Sequence, residues 1–235
     1  EWKDYNAYSD FISSEGVPVF YARVDHVSVP LAKEGTGQVV VDFTPEPLTQ
    51  DVSFVFHIEK TADVVVDSLT AEISGIPSTM ELTTGLILAQ KTYKLLFRPT
   101  YAALPSAADS ASAEALRCEA SVNIPGIVRS HTEDMVTGPG ILQIAIYTHY
   151  DYEEEGTQRK AAKVFHAGIN LYHTLKERKS LQWDEEENGY RQASRSITVE
   201  IGSPLNIDKD GILNGGSTST GLDQWIPGET FEIEV

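Results

Sequence analysis

Apolar residues recur at every second position through much of this chain, and a two-residue period fits strands that bury one face and wet the other. Val39, Val41 and Phe43 share a face, as do Phe54, Phe56 and Ile58. Val65, Leu69, Ala71 and Ile73 form the next set, with Thr70, Glu72 and Ser74 opposite. Tyr93, Leu95 and Phe97 then alternate against Lys94 and Arg98. Further sets are Leu142, Ile144 and Ile146; Phe165, Ala167, Ile169 and Leu171; Ile197, Val199 and Ile201; and Phe231, Ile233 and Val235. Turn chemistry separates them at Pro45-Glu46-Pro47, Gly75-Ile76-Pro77, Gly138-Pro139-Gly140, Asp210-Gly211 and Pro227-Gly228. Many short strands broken in this way predict an all-β protein made of sandwiches or barrels. A parallel α/β chain needs helical patterns between its strands, and no long one is present. The best helix candidate, the Ala- and Ser-rich stretch 106–116, lacks an apolar stripe and reads as a loop with at most one helical turn.

A length of 235 residues allows one large β domain or two small ones. A division near residues 85–90 gives two expected lobes, 1–88 and 89–235. The charge is lopsided, with 35 acidic against 18 basic residues and a net charge of −17. A field of that sign repels nucleic acid and anionic lipid headgroups, so neither is expected as a partner. No disulfide framework is possible within the chain, because Cys118 is its one cysteine. Cys118 alternates with Ala120, Val122 and Ile124 on one apolar face, which predicts a buried structural thiol. The chain opens on Glu1-Trp2-Lys3, so removal of an upstream segment is expected. No apolar run reaches membrane-span length, and any membrane attachment would come from that segment.

Reactive constellations are sparse. No serine occupies a G-x-S-x-G turn, and Gly35-Thr36-Gly37 precedes a strand rather than the helix a phosphate cradle needs. His149 and Asp151 share a strand face and could open a metal site, although a solvent-facing polar pair is the plainer reading. His166 and His173 fall on opposite faces of one expected strand. The runs Glu153-Glu154-Glu155 and Asp184-Glu185-Glu186-Glu187 read as solvated loop tips, not as a catalytic acid pair. Asn206, Asp208 and Asp210, followed by Gly211, have the spacing of the first half of a calcium loop. Its closing position falls on Ser217 and neither flank is helical, so the Asp-Gly step is read as a β-turn. No catalytic residue and no cofactor is expected. Among the tryptophans, Trp183 precedes an acidic tip and is the candidate glycan contact. Trp225 is expected to pack the end of the second lobe, and Trp2 is a third exposed candidate.

Three segments carry a family resemblance. The first is Val66-Asp67-Ser68-Leu69-Thr70-Ala71-Glu72-Ile73-Ser74-Gly75-Ile76, followed by the Thr84-Gly85 turn. The second is the order of the strands expected at 93–98, 118–124 and 141–150. The third is Ser203-Pro204-Leu205-Asn206-Ile207, then Gly215-Gly216, then Leu222-Asp223-Gln224-Trp225 and a closing strand. In this order, across residues 36–235, they resemble the fimbrillin superfamily of Bacteroidales-type fimbriae, in particular its anchor and minor subunits. The resemblance implies two transthyretin-like β-sandwich lobes with Greek-key-like connections. It further implies a lipoprotein anchored in the outer membrane through a removed N-terminal lipid anchor, with other fimbrial subunits as partners. Subunits of that kind join by strand addition at a sheet edge. Phe231, Ile233 and Val235 are the candidate subunit-interaction residues, although the same run can close its own lobe. Stalk subunits are cut at an Arg or Lys near their first strands, and Arg23 occupies such a place. The lipid-bearing cysteine is absent, and the segment before Thr36 departs from the family pattern. The expected function is a structural or adhesive fimbrial subunit without enzymatic activity. The alternative is a glycan-binding surface lipoprotein of the outer membrane; a carboxylate-dependent hydrolase is a weaker third.

Overall fold

The structure, a computed structural model, describes residues 11–12, 18–24, 26–28, 39–104, 113–213 and 224–233. In chain order the elements are β1 (Phe11–Ile12), β2 (Phe20–Tyr21), β3 (Glu46–Pro47), β4 (Gln50–Thr61), β5 (Val65–Glu81), β6 (Leu86–Phe97) and β7 (Thr100–Ala103). They continue with β8 (Ala113–Ile124), β9 (Ile141–Glu154), β10 (Thr157–Asn170), helix α1 (Tyr172–Arg178), β11 (Leu181–Asp184) and β12 (Gly189–Gln192). The last are β13 (Ser196–Glu200), β14 (Leu205–Ile207) and β15 (Trp225–Ile233). The larger sheet runs β11-β12-β6-β5-β9-β10-β15, with β1 parallel beside β6. The smaller runs β13-β4-β8-β7, with β14 also parallel to β4.

The protein is an all-β sandwich, and the two-residue period explains why. On β4, Val52, Phe54, Phe56 and Ile58 are fully buried, while Asp51 and Glu59 face solvent. They meet Leu95, Leu142, Ile144, Ile146, Phe165, Ala167 and Ile169 of the larger sheet in one hydrophobic cluster. Phe54 stacks on Phe97 at 5.1 Å, and Phe56 meets Trp225 edge-on at 5.8 Å. The Trp225 indole N–H donates to Ser203 O at 2.9 Å, which lets a polar ring sit inside the core. Each fully buried aromatic or branched side chain contributes about 2 kcal/mol from burial alone.

The chain does not divide at residue 88. Strand β6 runs through that point, and the cluster draws on β4 and β5 from one side and on β8, β9, β10, β13 and β14 from the other. The reason lies in β4, which pairs β8 on one side and β13 and β14 on the other, so a strand from early in the chain is central to a sheet completed late.

Four local readings also change. Residues 39–43 form no strand, and Val40 and Phe43 are exposed. A bulge between Val66 and Ser68 shifts the phase of β5, so Val66 is buried and Val65 is not. Residues 113–116, taken as loop, belong to β8 and pair with β4. His166 and His173 do not share a strand: β10 ends at Asn170, whose side-chain oxygen accepts the Tyr172 N–H at 3.0 Å as α1 begins.

Cys118 lies fully buried opposite Phe56, and loss of hydration pushes its thiol up to about 12. The thiolate is therefore scarce at neutral or mildly alkaline pH. An aromatic disulfide reagent should leave Cys118 unreacted in the folded protein and modify it after unfolding in guanidinium. Rapid modification of native protein would contradict its burial.

Candidate functional site

Two features stand out: a groove beside the β11–β12 hairpin and the free edge at β15. The groove is built on a strap, the connection 125–140 between β8 and β9. The strap is bonded to β5 at a second bulge, between Ser74 and Ile76: Val128 N–H donates to Gly75 O at 2.9 Å, and Gly140 N–H donates to Ser74 O at 3.1 Å. Ser74 Oγ donates to Gly138 O at 2.7 Å and accepts the Ile141 N–H at 2.9 Å. The other end is gathered by Asn170. Its amide reaches the carbonyls of Thr132, Glu133 and Met135 at 3.0, 3.2 and 2.9 Å, and its oxygen accepts Ser130 Oγ at 2.7 Å. Ser180 Oγ accepts the Ile127 N–H at 3.1 Å and donates to Gln50 Oε1 at 2.8 Å. These buried polar groups are satisfied by one another, so the strap has a fixed course.

That course sets Arg129 and His131 opposite α1 and the hairpin. The Arg129 guanidinium lies 5.1 Å from the Tyr172 ring centre, and Lys176 Nζ lies 5.7 Å from the same ring. Trp183 is 48% exposed, and its ring meets Tyr190 edge-on at 4.9 Å. The hairpin tip is held by Asp184, which accepts the N–H groups of Glu186 and Glu187 at 3.1 and 3.2 Å and Arg191 Nε at 2.9 Å. The Arg191 hydrogen bond, followed by the tip amide of Glu187, keeps the Asp184 carboxyl below its ordinary range. A carboxyl with a depressed value stabilises the fold above the ordinary aspartate value, and that contribution is lost as pH falls through the depressed one. The Trp183 environment should therefore hold at neutral pH and loosen only in strong acid, read as a fluorescence change that is absent in Trp183→Phe. A change centred near neutral pH would contradict this.

Two adjoining hollows of about 360 and 460 Å³ share Arg129, His131, Trp183 and Tyr190. Lys176 and Lys179 line the first. No aspartate or glutamate among the described residues lines either. Among the described residues, Arg129, Lys176 and Lys179 have no carboxylate in ion-pair range.

Strand β15 pairs on one side with β10, and no strand lies on its other side among the described residues. Phe231 lies opposite Val164, is 48% exposed, and meets the His166 ring edge-on at 5.4 Å. Ile233 lies opposite Ala162, and Glu232 opposite Lys163 at 3.4 Å. The candidate run thus pairs within its own sheet, and Val235 lies outside the described residues.

The other candidates are dispersed. Asp208 Oδ1 accepts the N–H groups of Asp210 and Gly211 at 2.7 and 2.8 Å, Asp208 N–H donates to Gly211 O, and Leu213 N–H donates to Asn206 O. The segment around Asn206, Asp208 and Asp210 is a tight turn whose carboxylate serves its own backbone. No group of three or more metal-ligating side chains is found among the described residues. His149 is bonded to Asp67 at 2.8 Å rather than to Asp151, because β5 lies beside β9 at that point. Glu153 and Glu154 are exposed at the β9–β10 hairpin. Arg23 is exposed beyond β2 and donates to Thr83 O at 2.9 Å. Trp2 lies outside the described residues. Trp183 was the one groove residue legible in sequence; the three cations come from the strap and from α1 with its C-terminal cap, and share no local pattern. No described helix is long and apolar enough to cross a membrane. No protein-family model, curated protein or solved structure matches this chain.

Proposed function

We propose that this chain is a structural or adhesive subunit of a cell-surface fimbria at the outer membrane, joined to neighbouring subunits by pairing of β-strand edges. The observation that carries the reading is the edge at β15. An edge strand presents alternate N–H and C=O groups that a strand from another chain can satisfy. Pro227 has no N–H, and the register shifts where Gly228 and Glu229 together face His166, so an added strand has regular backbone only along 230–233. In that stretch Phe231 supplies exposed apolar surface for the incoming side chains. The work is done by backbone hydrogen bonds, and no bond-making chemistry is assigned.

Phe231→Lys tests this directly. Phe231 is half exposed, so the change should alter subunit stability by no more than about 0.5 kcal/mol. Charge at an edge strand opposes strand addition. Fibre formation, followed by electron microscopy and sedimentation, should fall sharply while the melting temperature holds. Unimpaired fibres from Phe231→Lys would overturn the assignment of this edge.

A second reading, a glycan-binding surface lipoprotein of the outer membrane, is favoured by Trp183. Its exposed ring is fixed by Tyr190 at the mouth of a groove, which is how an aromatic face offers itself to a sugar ring. The two readings are compatible in an adhesive subunit.

A further inference from the structure

We propose that the groove between the strap, α1 and the β11–β12 hairpin binds a glycan through a sugar that carries a carboxylate. This deepens the glycan reading of Trp183 and rests on it.

The charge distribution carries the inference. Acidic residues outnumber basic ones almost two to one along the chain, yet no carboxylate of the described residues lines either hollow. Arg129, Lys176 and Lys179 lie there without ion-pair partners among the described residues. A neutral sugar presents many hydroxyl donors, and a site for it gains from acidic acceptors. Here the charged lining groups are all donors, so the complementary ligand is rich in acceptors. A sugar-ring carboxylate meets that need, and an arginine fork can hold it through two parallel hydrogen bonds. The Arg129 guanidinium and the Lys176 ammonium both lie over the Tyr172 ring, so one ring positions both charges. Trp183 supplies the apolar face for the C–H side of the same ring. The surrounding negative field is screened over about 10 Å at ordinary ionic strength, so the local cations decide the sign that a bound ligand meets. A polynucleotide would extend beyond the groove and lie against the acidic surface around it, so a short acidic glycan is favoured over a polynucleotide.

The test is isothermal titration with a trimer of galacturonate and the matching trimer of galactose, which differ in the carboxylate. A thymidylate hexamer is the non-sugar polyanion. The galacturonate trimer should bind at least about tenfold more tightly than the galactose trimer, a margin set by one charge-assisted contact. Arg129→Ala, and Lys176→Ala with Lys179→Ala, should erase that margin, and added salt should narrow it. Trp183→Ala should weaken both sugars. Lys160→Ala, which removes an exposed charge on β10 away from the groove, should leave affinity unchanged. Matching melting temperatures will show that the variants fold. Equal affinity for the two trimers would overturn the acidic-sugar inference while leaving the glycan reading standing. Thymidylate binding as tight as galacturonate would overturn it as well. Binding of neither trimer, with Trp183→Ala indistinguishable from the parent, would overturn both.

Discussion

Gly75→Ala should destabilise the protein by about 3–5 kcal/mol, the sum of positive-φ strain and overpacking. Gly75 has φ +90° at the β5 bulge between Ser74 and Ile76, where the strap meets the larger sheet. A Cβ there would lie 2.5 Å from Val128 O and 2.8 Å from Gly140 N, both backbone atoms with no freedom to swing aside. The strap would have to lift, and the Val128–Gly75 and Gly140–Ser74 hydrogen bonds would go with it. Gly156 is the natural control, since it also has positive φ, +77°, but nothing within 4 Å of a built Cβ. Gly156→Ala should cost only about 1 kcal/mol, the strain part alone. Urea unfolding midpoints of the two variants measure the difference. Equal losses would mean that the strap is not anchored at this junction.

Asn170→Ala should cost about 2–4 kcal/mol, because buried polar groups would lose their partner without gaining water. Asn170 is 5% exposed and joins Ser130, Thr132, Glu133 and Met135 of the strap to the first turn of α1. Asn170→Asp keeps the acceptor for Tyr172 N–H but turns a carboxylate oxygen toward three carbonyls, so it should fail to rescue. The strap carries Arg129 and α1 carries Lys176, so both variants should also raise amide exchange across 129–135. Wild-type stability in Asn170→Ala would show that the strap is held by its other contacts.

The architecture was largely legible in the alternation of the sequence. Phe54, Phe56 and Ile58 on β4, and Leu142, Ile144 and Ile146 on β9, need nothing beyond that period to be placed inside. The failures have physical causes. A bulge adds one residue and puts the two sides of a strand out of phase: Leu69, Ala71 and Ile73 keep their expected burial, while before the bulge Val66 takes the place of Val65. Lys94 was read as facing water and does lie opposite the core-facing Leu95, yet it is 1% exposed and ion-paired with Glu72. It sits across from Ser74, where the strap returns toward β9, and no local pattern announces that a distant loop will pass there. His173 looked like strand because the apolar period continues to Leu171, but the Asn170 side chain starts a helix at that point. The groove was the least legible feature. Arg129 and Lys179 are fifty positions apart, and only the course of the strap and the end of α1 bring them to Trp183. The expected division at residue 88 misplaced the chain's organisation for a related reason: parallel pairing of β13 and β14 with β4 joins segments more than a hundred residues apart.

Amide hydrogen exchange along β15, in the isolated subunit and in the assembled fibre, tests edge pairing most directly. Alternate amides of 230–233 should exchange quickly in the isolated chain and become protected in the fibre. Amides of β5, flanked on both sides by β6 and β9, should change little. Exchange along β15 that is the same in subunit and fibre would contradict assembly through this edge.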